Sequence, residues 1–414
     1  MAVFYVTPLT NITDLINSDE VMPGDVLLLE NGVYRQTVVV EKNFIRIVAN
    51  GRCVVFDGEN TLIIGILLLN VVGVEVLGLR LQNYSSTGIL SSSGSSNRII
   101  NNNIKNGNVG IWTVASSSNL IYRNIVEDVL ADGIRLSNAS TGNFVLENKV
   151  SGSGDDGIDC FFAEDTNNLF VGNSVLKNAS NGFEVLGENC CIFVNRSIGN
   201  AARGFIFLRG TNALQNEARD NTQSGISAWS DNTFVGMNQI ERNQMEGIEV
   251  ISNFSIIQQN DIRFNRNYGL AFYEDASYNL ALRNRLVGNE PASIVDNGTG
   301  NNFVENVTEK SPCECKPESF KRSSEKAAAG MDYIAQKRQK EIEAQKELIA
   351  KAEALMSAVP EIQKQTQELI LGMMKEQLTK LTEYQKDLAS AAASPAAPET
   401  AQQATPAVLT DQDK

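Results

Sequence analysis

The 414-residue sequence contains no histidine. That removes the usual general base, the commonest metal ligand and the side chain that changes charge near neutral pH. Chemistry at any site must run on carboxylates, lysine, arginine, tyrosine or cysteine. Cysteine is itself scarce: the six, at 53, 160, 190, 191, 313 and 315, are too scattered for a disulfide framework. Basic patches are lacking too. A formal net charge of −14 with no concentrated run of Lys and Arg argues against nucleic acid as a partner. The opening MAVFYVTPLTNITDL lacks a basic region followed by an apolar one, so no secretory signal is expected. This leaves the compartment open, with spore-surface or phage-particle locations compatible. The apolar stretch TLIIGILLLNVVGVEVLGL (61–79) is interrupted by Asn70, Glu75 and glycines, which predicts buried strands rather than a membrane span.

What the chain has is repetition. Glycine followed by Ile, Phe or Leu recurs at Gly88, Gly110, Gly133, Gly157, Gly182, Gly204, Gly225, Gly247 and Gly269, with steps of 22, 23, 24, 25, 22, 21, 22 and 22 residues. An asparagine ladder runs in phase with it: Asn102, Asn124, Asn148, Asn173, Asn216, Asn238, Asn260 and Asn284, with Arg196 read into the slot between 173 and 216. Two ladders in register mark a repeat protein. Three short strands and three turns use about 22 residues, so each repeat is expected to be one coil of a parallel β-helix, with coils about 4.8 Å apart. Stacked asparagines can then bond one another. Glycine is expected where the chain turns with positive φ. No segment of 88–290 holds a 3.6-residue period for three turns, which excludes a helical solenoid.

The repeat block around N-x-V…G-I resembles the right-handed parallel β-helix repeats of pectin-lyase-like and NosD-like proteins. The stretch LTNITDLINSDEVMPGDVLLLENGVYRQTVVVEKNFIRIVANGRCVVFDGE resembles that family's N-terminal cap. The resemblance implies a mainly β fold, a single-stranded right-handed parallel β-helix whose open end is plugged by a short amphipathic helix. It says little about activity, because the coil carries lyases, hydrolases, epimerases, tailspikes and non-enzymatic surface proteins. The expected organisation is a cap and first coils over 1–60, the β-helix over 61–308 and a Cys/Pro linker over 309–324. Amphipathic helices follow over 325–391, then an Ala/Pro/Thr-rich tail over 392–414 expected to be disordered.

If the residue after each ladder glycine points inward, the second and fourth point outward. The Gly+2 column then brings Arg135, Asp159 and Glu184 together from consecutive coils, with Asp155 and Asp156 on the adjoining turn. This is the densest charge cluster on the coil and the candidate catalytic set. A carboxylate pair can serve glycoside hydrolysis and an Arg–carboxylate set lyase or epimerase chemistry; a salt-bridged solvent face is the plainer reading. No cofactor or metal is expected, calcium being the ion a lyase of this type would take. The Gly+4 column shows large apolar groups at Phe161, Leu186, Leu208, Trp229, Ile251 and Tyr273, a stripe that calls for a partner. A trimer seam, a platform for sugar rings and the docking face for the chain's own C-terminal helices are the candidates; a one-residue shift of register would make it core. Cys160, in the Gly+3 column, reads as buried.

Past Asn306 the repeat stops. Ile342, Ile349 and Met356 recur at seven, with Ala352 and Val359 beside them; beyond Pro360 come Leu371, Met374, Leu378, Leu381 and Leu388. Two amphipathic helices meeting at the proline are expected, as a coiled coil between chains or a hairpin lying on the coil. Cys190, Cys191, Cys313 and Cys315 are candidates for crosslinking an assembly. The reading preferred is a non-catalytic structural or glycan- or surface-binding protein that associates with itself through its C-terminal segment. The alternative is a polysaccharide-active lyase, hydrolase or epimerase using the acidic face.

Overall fold

A computed structural model describes residues 1–208, 210–310, 330–356, 359 and 361–393. The strands stack into three parallel sheets, A with 14 strands, B with 13 and C with 12, the chain passing from A to B to C in each coil. One such coil is Leu120–Tyr122, Ile125–Glu127 and Ile134–Ser137. Side-chain direction follows from the alternation: in sheets A and B the middle residue of a three-residue strand points inward and its neighbours outward, and in sheet C the middle residue points outward and its neighbours inward. Ile121, Val145, Phe170 and Ile192, successive middles in sheet A, are fully buried. Each such aliphatic side chain contributes about 1.5–3 kcal/mol of transfer free energy. Like residues lie over like, as in the offset stack of Phe183 on Phe205, 4.8 Å between ring centres.

The asparagine ladder is continuous and corrects one slot. Asn195, not Arg196, stands between Asn173 and Asn216. Its Oδ1 accepts from the Asn173 backbone N–H and amide, both at 2.9 Å, and its amide donates to Asn216 at 3.1 Å. The pattern hid it because Ser197 replaces the apolar residue expected two places on. Arg196 opens the next strand, points outward and pairs with Glu217 at 2.7 Å. A second ladder that the spacing did not reveal runs through Asn178, Asn200, Asn221, Asn243, Asn265 and Asn289.

The role expected of the ladder glycines is also corrected. None of them has positive φ; corners with φ near 55° are taken by Arg123, Glu147 and Lys177 among others. Glycine is required by proximity instead. A Cβ on Gly110 would lie 2.3 Å from Val126 Cγ1 and 2.5 Å from the Gly133 carbonyl oxygen of the next coil.

The cap forms as expected. Helix α1 (Ile12–Asn17) starts at Asn11, whose side chain accepts the Asp14 N–H, and buries Ile12 and Ile16 against the open end of the coil. Stretch 61–79 holds the strands Ile64–Leu69 and Glu75–Leu77. No helix among the described residues is long and apolar enough to cross a membrane.

Helices α2 (Gly330–Leu355) and α3 (Glu361–Ala393) pack on each other and on the outer face of sheet C. Ile349, Ala352, Ile370 and Met374 form one apolar cluster with Leu67, Leu90, Trp112 and Val114. Ile342 and Leu381 form another with Phe161 and Phe162. Two glutamines fix the register of α3. Gln363 Oε1 accepts the Thr37 N–H at 2.9 Å, and Gln367 accepts the Ile63 N–H at 2.8 Å while donating to the Thr37 hydroxyl at 2.7 Å. These groups are buried, and leaving the two backbone donors unpaired would cost about 1–3 kcal/mol each. Of the arrangements open to the sequence, the hairpin on the chain's own coil is the one present. Pro360, Cys313, Cys315, the Leu388 side chain and residues 394–414 lie outside what the structure describes.

Candidate functional site

The outward positions of sheet C carry the candidate residues, and the register places them as the spacing implied. Trp112, Arg135, Asp159 and Glu184 stand side by side on successive coils. They point away from the coil interior but not into open solvent. Arg135 is 4% exposed, and Asp156, Asp159 and Glu184 are fully buried; Asp155 is half-buried. A salt-bridged solvent face is therefore excluded. The Arg135 guanidinium lies 5.5 Å from the Trp112 ring and 5.8 Å from the Phe161 ring, in a recess also lined by Gln345 and Leu381 of the hairpin.

A carboxylate that the sequence offered only as a turn residue completes the cluster. Asp132 Oδ2 accepts from Arg135 Nε at 2.5 Å, and its Oδ1 accepts the Asp156 N–H at 3.0 Å. Asp156 accepts the Asn181 N–H at 2.7 Å, and the Asn181 amide donates to Glu184 at 3.1 Å. Oxygens of Asp132, Asp156 and Asp159 come within 4.8 Å of one another. Calcium takes six to eight oxygen ligands. Here both Asp132 oxygens and one of Asp156 are engaged by protein donors, and a guanidinium supplies the positive charge. The set suits an arginine-centred network better than a calcium cage.

The apolar stripe divides in two. Phe161, Leu186 and Leu208 are buried, Phe161 under the hairpin; Trp229, Ile251 and Tyr273 are half-buried. It lies outside the coil, so the one-residue shift into the core does not occur. Around the half-buried end is a second constellation missed in the sequence. Ser227 Oγ donates to Glu249 at 2.6 Å and accepts from Arg203 Nε at 3.0 Å. Ser224 Oγ donates to Glu246 at 2.8 Å and lies 3.5 Å from Glu249, so both carboxylates come close to one hydroxyl. The Tyr273 hydroxyl donates to Glu246 at 2.7 Å, and the Arg203 guanidinium covers the Trp229 ring at 4.6 Å. Glu246 is fully buried and Glu249 4% exposed. The signal was the residue preceding each ladder glycine: Asp132, Asp156, Asn181, Arg203, Ser224 and Glu246 all occupy it. This column and Gly+2 together build the outer face.

Among the cysteines described, Cys160 and Cys190 are buried, Cys191 half-buried and Cys53 exposed, all as free thiols. Burial pushes the Cys160 thiol up, and it donates to the Asp165 carbonyl at 3.2 Å. Burial removes Cys190 from the crosslinking candidates; one of the adjacent pair faces in, as the turn required. Burial also raises the Asp165 carboxyl to about 7, although it accepts the Phe162 and Ser140 N–H groups at 2.7 and 2.8 Å.

The family described as the right-handed beta helix region matches residues 63–198. No curated protein matches the sequence. Among solved structures, the chain is similar to the A-module of the Azotobacter vinelandii mannuronan C-5 epimerase AlgE6, with 13% identity, 72% of this chain and 94% of that one covered, and a TM-score of 0.63. It is also similar to the catalytic domain of a GH87 alpha-1,3-glucanase in complex with tetrasaccharides, with 12% identity, 78% and 68% covered, and a TM-score of 0.55. At such identities the likeness is one of fold. The chain carries the right-handed parallel β-helix that its repeats resembled, with the family's own match confined to residues 63–198.

Proposed function

We propose that the protein is a glycan-binding β-helix without turnover, and that it binds at the half-buried end of the sheet C face. The carrying observation is Trp229 and Tyr273, half-buried, over the hydrogen-bonded set of Glu246, Glu249, Ser224, Ser227 and Arg203. Aromatic faces stack on the C–H faces of pyranose rings, and buried carboxylates with an arginine orient hydroxyl groups. Two carboxylates against one guanidinium, in a chain of net charge −14, favour a neutral polysaccharide over a polyuronate. The lack of turnover is supported by the first cluster, where Arg135 is committed to Asp132 and covered by the hairpin.

The test is retention on immobilised neutral glucans and on polyuronates, with wild type and Trp229→Ala, alongside assays for new reducing ends and for unsaturated uronates. Retention on a neutral glucan that falls at least about tenfold in Trp229→Ala supports the proposal. A second reading, hydrolysis, rests on Glu246 and Glu249 lying 2.8 and 3.5 Å from one hydroxyl, that of Ser224. Reducing ends released by wild type and not by Glu249→Gln would establish it in place of binding alone.

A further inference from the structure

The three outer faces of the coil differ. Sheet C carries the hairpin, and sheet B carries charges. From strand Leu120–Tyr122 to strand Asn302–Val304 the outer face of sheet A is mostly apolar, with Asn212, Gln258 and Asn302 among its outer residues, and none of the described elements packs on it. Its third-position column includes Tyr122, Leu146, Val171, Phe193, Leu214 and Leu282, all half-buried; in the first-position column Phe144 is 44% and Ile256 38% exposed. The corner column beside it is uncharged through its centre, where Val194 is 52% and Met237 43% exposed. Ion pairs mark its two ends. Arg123 meets Glu147 at 2.8 Å at one end, and Arg283 meets Glu305 at 2.6 Å at the other.

We infer that this face binds a second copy of the chain, antiparallel, about a two-fold axis that runs along the strand Asn212–Leu214. Four strands lie on either side of it in the sheet, from Leu120–Tyr122 to Asn302–Val304. An axis in the plane between two such sheets, along the strand direction, keeps each column facing itself and reverses the order of coils. Arg123 then faces the partner's Glu305, and Glu147 faces the partner's Arg283, so each end becomes an alternating quartet. Shapes match on the same operator. Phe193 comes opposite the gap at the partner's Gly236, and Val194 opposite the partner's Met237. Asn212, on the axis, meets its own copy, and two amides are self-complementary donors and acceptors.

The size fits. Nine coils at about 4.8 Å spacing run roughly 38 Å. Two side-chain columns with their flanks are roughly 15–20 Å wide, close to the about 800 Å² per partner of a stable dimer. An apolar centre with an ionic rim is the composition such interfaces show. A glycan partner fits less well, because the aliphatic centre offers a sugar few hydrogen bonds.

The test uses the full chain in sedimentation equilibrium and light scattering. Wild type is expected as a dimer, and Leu214→Glu, which puts two carboxylates on the axis, as a monomer at the same concentration. Arg123→Glu is expected to weaken the dimer at least about tenfold, and adding Glu305→Arg to restore it. Register is read by oxidative crosslinking. Leu214→Cys should link to itself, and Leu146→Cys only to Leu282→Cys, in mixtures of the two proteins. Wild type that stays monomeric at about 100 μM overturns the inference. So does a dimer indifferent to Leu214→Glu, which would assign association to another surface, and so does a crosslink pattern in which Leu146→Cys links to itself.

Discussion

The outer faces of sheets A and B share one backbone geometry, strand length and register, yet they carry opposite chemistry. Sheet B presents a lattice of charge: Arg196 with Glu217 at 2.7 Å, Arg219 with Glu217 at 2.9 Å, Arg242 with Asp220 at 2.9 Å and Arg285 with Glu309 at 2.9 Å. Over the nine coils from Leu120–Tyr122 to Asn302–Val304, sheet A presents mainly Leu, Ile, Val and Phe at the equivalent positions, with ion pairs beside its first and last coils. Ahead of that stretch Glu75 pairs with Arg46 and Arg98. Parallel stacking puts like over like, so one residue choice repeated at a 22-residue period becomes a stripe. A face of a β-helix is therefore specified column by column, independently of its neighbours. In sheet C the partner is supplied by the same chain over part of the face: the apolar outer positions from Leu67 to Phe162 are covered by α2 and α3.

The largest effect should come from uncovering sheet C. Ile370→Asp places a carboxylate against Leu67 and Leu90 and should cost the hairpin about 3–5 kcal/mol. Limited proteolysis should then cut within α3 while the β signal in circular dichroism persists; an uncut α3 would mean that the helix is held from elsewhere. Gln367→Leu should act in the same direction by about 1–3 kcal/mol, since it strands the Ile63 N–H. A cut rate equal to wild type would show that donor to be satisfied by water.

On the other two faces, the fold itself should be insensitive. Arg196→Ala on sheet B should change stability by less than about 1 kcal/mol in a urea melt, because the pair is half-exposed. Leu169→Lys on sheet A should change the monomer's stability by no more than about 0.5 kcal/mol while reducing association. A large loss in either melt would show that the face contributes to the coil and is not merely displayed on it.

Independently of the three faces, stability should depend on pH through one buried carboxyl. Asp165 titrates near 7 in the folded chain and near 3.9 unfolded. Between those values the folded state holds a proton that the unfolded state has lost, so this group's contribution to stability falls as pH rises and is exhausted above about 8. Wild type minus Asp165→Asn, compared by thermal melts at fixed steps from pH 4 to 8, should decline over that window. A difference independent of pH would place the carboxyl in its ordinary range.

The outer-face chemistry was partly legible. Arg135, Asp159 and Glu184 were aligned correctly because alternation and period alone assign a side chain to a column. Their burial was not legible, since it depends on where a hairpin about 200 residues further along the chain comes to rest. The Glu246 and Glu249 set was overlooked for a related reason. It draws on two columns and three coils, and neither column stands out when read singly. The asparagine ladder was legible except where Ser197 replaced an apolar residue beside Asn195.

Local pattern was enough to specify the coil, its period and its cap, because these arise from alternation repeated in phase along the sequence. The same holds for the amphipathic character of the C-terminal helices, since a heptad needs no knowledge of its partner. The reason the ladder glycines are glycine is tertiary: the neighbouring coil's carbonyl and side chains leave no room for a Cβ. So is the choice of the apolar stripe that the helices cover. That choice rests on Gln363 and Gln367 meeting the Thr37 and Ile63 N–H groups, more than 300 residues away in the chain. Nothing in a local pattern carries contacts of that range, since they exist only once the coil has placed both partners on one face.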